Sequence, residues 1–193
     1  MIALIVGLVV FLGAHSIGVL APRWRDAQIV RLGAHGWKLA FSAASIVGFA
    51  LMVWGYAMAR TEGVVLWISP IWVRHLTAVL VVLAFILVVA AYVPNTYFKS
   101  ALGHPMTAGV GIWAFGHLLS NGSLRALILF GAFLAWSIAV FTARRRRDRE
   151  AGVAYPPWRA RRNAVAIVVG VVAALVFALF LHGPLIGVRP FAA

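Results

Sequence analysis

Two histidines lie well inside apolar runs of this chain, His15 within Ile2–Ala21 and His117 within Pro105–Asn121. An ionisable side chain at bilayer depth is expensive and is generally kept for function. Two neutral imidazoles on separate helices can fill both axial positions of a haem iron. The rest of the composition leaves few other metal chemistries. There is no cysteine, which excludes disulfides, thiolate nucleophiles, iron–sulfur clusters and cysteine-ligated zinc or haem. The four acids, Asp26, Glu62, Asp148 and Glu150, all fall between the apolar runs. A buried di-iron carboxylate site and an intramembrane carboxylate relay are therefore excluded. The plainer alternative for both histidines is an interhelical hydrogen bond.

On a helix, Trp113, His117 and Asn121 fall at i, i+4 and i+8 and share one face. Polar groups there avoid lipid, so this face is expected to point inward, with Trp113 and Asn121 lining a cofactor beside His117. Leu8, Phe11, His15 and Gly18 form a similar stripe. Reckoned from the inner ends of their runs, His15 lies ~9 Å deep and His117 ~18 Å deep at ~1.5 Å per residue. Tilted helices can absorb that mismatch. It leaves His15 with His104 as a rival pair. His104 otherwise reads as a residue at a helix start whose ring bonds nearby backbone. His35 reads as solvated, and His75 and His182 as interfacial residues that snorkel.

The elements that must position these residues are membrane helices. The chain is 193 residues, 64% hydrophobic, with a mean hydropathy of +0.99. Its apolar runs of about twenty residues match a ~30 Å hydrocarbon core. Spans are expected at roughly 2–21, 38–59, 75–93, 105–121, 124–143 and 163–182. The fold class is all-α, a polytopic membrane bundle of about six transmembrane helices with short loops, and one membrane domain covers 1–193. Of the 17 lysines and arginines, 13 fall in loops one, three and five and four on the other side. The positive-inside rule then puts those three loops in the cytoplasm and both termini in the periplasm. The first span lacks a basic leader and is followed by Pro22, so it reads as retained rather than cleaved. The net charge of +13 comes from this asymmetry, above all from Arg144–Arg147 and Arg149. The run reads as a flank for anionic lipid headgroups and not as a nucleic-acid surface.

Punctuation supports the spans. Ser69-Pro70 precedes the third, Val93-Pro94-Asn95 ends it, Pro105 suits the first turn of the fourth, and Gly183-Pro184 is expected to end the sixth. The first loop, Pro22–Trp37, mixes tryptophans with arginines and could lie along the interface as a short amphipathic segment.

Longer motifs then carry a resemblance. Phe11-Leu12-Gly13-Ala14-His15-Ser16, Ala91-Tyr92-Val93-Pro94-Asn95 and the stretch from Leu102-Gly103-His104-Pro105 through His117-Leu118-Leu119-Ser120-Asn121-Gly122 resemble the NnrU family over nearly the whole chain. That resemblance implies a bacterial inner-membrane protein linked to denitrification and nitric oxide metabolism. The family is similar in turn to 15-cis-zeta-carotene isomerase, a haem b enzyme. Its ligand histidines map onto His15 of His15-Ser16 and onto His117 of Trp113-Ala114-Phe115-Gly116-His117. Ala114 replaces the cysteine that can exchange with the histidine there, so redox ligand switching of that form is lost. The resemblance implies haem b on His15 and His117, in a redox, sensing or maturation component. It also admits a cis–trans isomerase of a lipid-soluble polyene, and a cofactor-free accessory protein for nitric oxide reductase components.

Overall fold

A computed structural model describes residues 1–190. Helix α1 spans Ile2–Leu20 and α2 spans Pro22–Met58, followed by a 3-10 turn at Ala59–Glu62. Then come α3 (Ile71–Tyr92), a short α4 (Tyr97–Leu102), α5 (Pro105–Ser120) and α6 (Leu124–Glu150). Helix α7 (Ala160–Val176) runs through a π turn at Phe177–Leu181 into α8 (His182–Ile186).

The expected helical bundle is present. Five helices, α1, α2, α3, α6 and α7 with its extension, are long and apolar enough to cross a membrane. The fourth expected span forms α5, which has only 16 residues. That gives ~24 Å of rise, short of a ~30 Å core. It still joins the two ends of the bundle. His104 at its start meets Asp148, and Leu119 at its finish accepts a hydrogen bond from Ser69 at 2.6 Å.

Two local expectations change. The first loop is helical, because α2 begins at Pro22, with its single non-helical residue at Gly33. Gly33 has φ 72° and ψ 161°, a conformation reserved for glycine, so this residue permits the bend. Trp24 and Trp37 meet edge-on across it with centroids 5.9 Å apart. Gly183-Pro184 does not end the last helix. The π turn at 177–181 precedes Pro184 by one turn and absorbs its missing N–H, so the chain stays helical to Ile186.

Packing runs in series: α2 on α1, α1 on α6, α6 on α5, α5 on α3, and α3 on α7. Small residues set the approach, as expected where lipid removes the hydrophobic drive between helices. A Cβ on Gly7 or Gly55 would strike the facing backbone of Met52 or Leu4, and one on Gly109 would sit 2.8 Å from the Ala84 carbonyl. Hydrogen bonds pin the α3–α5 and α1–α6 seams. Thr77 Oγ1 of α3 donates to the Gly116 carbonyl of α5 at 2.8 Å, and Trp136 Nε1 of α6 donates to Ser16 Oγ of α1 at 3.0 Å. The core gathers Leu4, Leu8, Met52, Ala114, Ala126, Phe130 and Phe133, from α1, α2, α5 and α6.

Candidate functional site

The two membrane histidines have the same local chemistry. His15 Nδ1 donates to the Phe11 carbonyl at 2.8 Å, and His117 Nδ1 donates to the Trp113 carbonyl at 2.9 Å. A carbonyl only accepts, so each bond fixes the proton on Nδ1. The neutral ring then carries its lone pair on Nε2. This is the outer support expected behind a metal-ligating imidazole. Helix geometry supplies it directly, since each acceptor is four residues upstream.

Aromatic rings enclose both imidazoles. Around His15 stand Phe11 at 4.3 Å, Phe41 at 5.1 Å and Trp136 at 6.4 Å between centroids. His117 stacks on Phe130 at 4.7 Å with planes 27° apart, and lies 5.2 Å from Trp113. Asn121 Nδ2 donates to the His117 carbonyl at 2.8 Å and to Ser120 Oγ at 3.1 Å. Trp113 and Asn121 thus both adjoin His117, Trp113 by its ring and Asn121 through the backbone.

His15 and His117 stand at different levels. Their neighbours on α6, Trp136 and Phe130, are six residues apart, ~9 Å along the axis and on different faces. Phe11, Phe133 and Trp113 join them in a ladder of rings, with Phe133 at 5.9 Å from Phe11 and 5.5 Å from Trp113. The depth offset read from the sequence is thus also present in the packing. Phe41, Phe130, Phe133 and Trp136 were not singled out from the sequence. The i, i+3, i+6 spacing of the last three along α6 was the available signal.

His104 is occupied elsewhere. Its Nε2 lies 2.7 Å from Asp148 Oδ2, and that oxygen also accepts from the Tyr155 hydroxyl. The ring pairs with a carboxylate rather than with nearby backbone, which corrects the expectation for this residue and takes it away from His15. Gly103 beside it has φ 72° and no room for a Cβ against Tyr155 and Arg145, whose guanidinium lies 5.3 Å from the Tyr155 ring centre. The group closes the α4–α5 turn onto the charged extension of α6 beyond its apolar part. Of the remaining histidines, His35 and His75 are exposed, and His182 Nδ1 donates to the Val188 carbonyl at 2.6 Å.

The Tyr155 hydrogen bond, and His104 behind it, hold the Asp148 carboxyl below the usual carboxylate range against an opposing effect of burial. Burial, then the Asp148 hydrogen bond, push the Tyr155 hydroxyl up. A carboxylate with a depressed folded-state value stabilises the fold above its unfolded value of roughly 3.9. That contribution is lost as pH falls through the depressed value. The latch should therefore open on acidification below about pH 4. In 19F NMR of protein carrying 3-fluorotyrosine, the Tyr155 resonance should shift there. Asp148→Asn should hold it at one position across the same range, and an acid shift that survives Asp148→Asn would reject the assignment.

The family model described as NnrU protein matches residues 3–190. The chain belongs to the NnrU family. This NnrU protein thus carries the family's sequence pattern along nearly its whole length, on a helical bundle suited to the membrane. No curated protein and no solved structure matches it.

Proposed function

We propose that this NnrU protein binds a b-type haem through His15 and His117 in the membrane and serves nitrogen-oxide metabolism as a redox, sensing or maturation component. The observation that carries the reading is the matched pair of Nδ1–H bonds to i−4 carbonyls, which leaves an Nε2 lone pair on each ring. Donor chemistry fits the group: two neutral imidazoles, no thiolate in the chain and no acid within the apolar runs. His15 and His117 would hold the haem, which would supply one-electron chemistry set by these ligands and the polarity around them.

The residues of the chain do the rest. Phe11 and Trp113 lend the carbonyls that orient the rings, and Phe130, Trp113 and Phe41 offer flat apolar faces that exclude water. Phe133 stands between the two levels, against Phe11 and Trp113. Purified protein from haem-replete cells, oxidised and then reduced with dithionite, tests the reading by its visible spectrum. A Soret band with sharp reduced α and β bands is expected. A colourless preparation would reject the proposal and leave the histidines as packing residues held against α6.

A further inference from the structure

Helix α1 stops at Leu20 while α6 runs on to Glu150, so the arginine-bearing turns of α6 overhang the end of α1. Arg147 bridges the step. It donates from Nη1 to the Gly18 carbonyl at 3.2 Å and from Nη2 to the Val19 carbonyl at 3.4 Å, which commits it as a cap on α1. In the angle beside it a cavity of about 590 Å³ opens to the surface, lined by Val19, Leu20, Thr142, Arg146, Arg149 and Glu150 among others. Two of its guanidiniums are not used up. The Arg149 side chain makes no hydrogen bond or ion pair among the described residues. Arg146 gives only Nε to Glu150 Oε1, at 3.0 Å, and both side chains are well exposed, at 75% and 64%. So exposed a pair contributes little and leaves both Nη groups of Arg146 to other acceptors. The other acids at this end are engaged, Asp26 with Arg25 and Asp148 with His104 and Tyr155.

We propose that this cleft holds the headgroup phosphate of one anionic phospholipid from the surrounding leaflet, on Arg146 and Arg149. Charge favours an anion, since the lining carries three guanidiniums against one carboxylate, counting Arg147, which keeps its charge. Guanidinium favours phosphate, because its N–H groups take two oxygens side by side. Apolar surface favours a lipid over a free ion. Ala135, Ile138, Ala139 and Thr142 are exposed on α6 and share a face with Arg146 and Arg149, at i, i+3, i+4, i+7, i+11 and i+14. On a membrane helix such a stripe meets acyl chains, so a lipid lying along it brings its phosphate to the arginines. Leu20, 81% exposed at the end of α1, adds an apolar wall. Basic pockets between membrane helices take anionic headgroups in this way. The cleft differs from a general attraction of the arginine run to a charged surface, because position and not charge count decides which arginines matter. The site is independent of the histidines and of any haem.

Spin-labelled lipid is the probe. The protein is reconstituted in phosphatidylcholine vesicles with a trace of phosphatidylglycerol or phosphatidylcholine labelled on an acyl chain. Salt is kept at ~0.1 M, where exposed charges more than about 10 Å apart are screened. The electron spin resonance spectrum separates lipid held by the protein from lipid free in the bilayer. Wild type should hold phosphatidylglycerol several-fold more strongly than phosphatidylcholine. Arg146→Gln with Arg149→Gln should remove most of that preference, since each basic residue near an anionic surface counts for about a factor of five. If this double variant does not fold, Arg149→Gln alone decides. Arg161→Gln with Arg162→Gln removes the same charge from exposed positions on α7, which packs on α3, and should leave the preference intact. Equal losses from the two double variants would mean diffuse attraction and would overturn the proposal, as would a wild type with no preference. Inorganic phosphate that releases phosphatidylglycerol where chloride of equal ionic strength does not would place a free ion in the cleft, and would overturn it as well.

Discussion

Gly55→Leu leaves little folded protein to extract from the membrane, whereas Gly13→Leu behaves as wild type. The contrast follows from what each new side chain meets. At Gly55 the added Cβ falls on the backbone of Ala3 and Leu4, and Leu4 is 0% exposed. Backbone cannot turn aside as a side chain does, so the α1–α2 seam must open. Overpacking of a well-fitted interior costs about 1–3 kcal/mol and sometimes more. In lipid no hydrophobic gain between helices offsets it. Total stability is only about 5–15 kcal/mol. Opening this seam also disturbs Leu8 and Phe11, and Phe11 supplies the carbonyl and the ring that hold His15. At Gly13 nothing lies within 4 Å, and leucine favours a helix over glycine by up to ~1 kcal/mol. Monodisperse yield after detergent extraction and the melting temperature read both. Equal stability of Gly55→Leu and wild type would mean that α1 and α2 do not pack at this distance.

The second large effect concerns the histidines. His117→Ala and His15→Ala should each abolish the sharp reduced α and β bands expected of the wild type, while His104→Ala should keep them. Each of the first two removes an imidazole whose Nδ1 is tied to its own helix and whose Nε2 is left to coordinate. Alanine offers no donor, and the chain has no cysteine to substitute. His104 spends its Nε2 on Asp148 at 2.7 Å, outside the aromatic ladder, so its loss should open the latch and leave the spectrum alone. Reduced spectra of the three variants, normalised to protein, measure this. Bands lost with His104 but retained without His117 would move the second ligand to the α4–α5 turn. Bands lost with only one of His15 and His117 would mean single-imidazole ligation.

Much of the scaffold was legible in the sequence because bilayer crossing imposes a composition rule: about twenty apolar residues per pass, with arginines collected at one end. The ends of α3 at Tyr92 and the start of α5 at Pro105 were legible for a local reason, since proline and its neighbours interrupt a helix wherever they lie. The same rule missed Gly183-Pro184, where a π turn one turn upstream supplies the slack. It also missed the continuity of α2 through Gly33, because an interfacial helix carries no long apolar run.

By itself, then, the sequence determined the membrane bundle, the charged end, the family pattern and the inward faces of His15 and His117. It could do so because hydropathy, charge and helical period are properties of neighbours along a chain. Which groups meet across the bundle was decided only by the tertiary structure. Packing placed Phe133 between Phe11 and Trp113, Asp148 on His104, and Arg125 on the Ala59 carbonyl. Each joins residues from separate elements, fixed by how closely glycines let the helices approach and how far each is rotated and shifted along its neighbour.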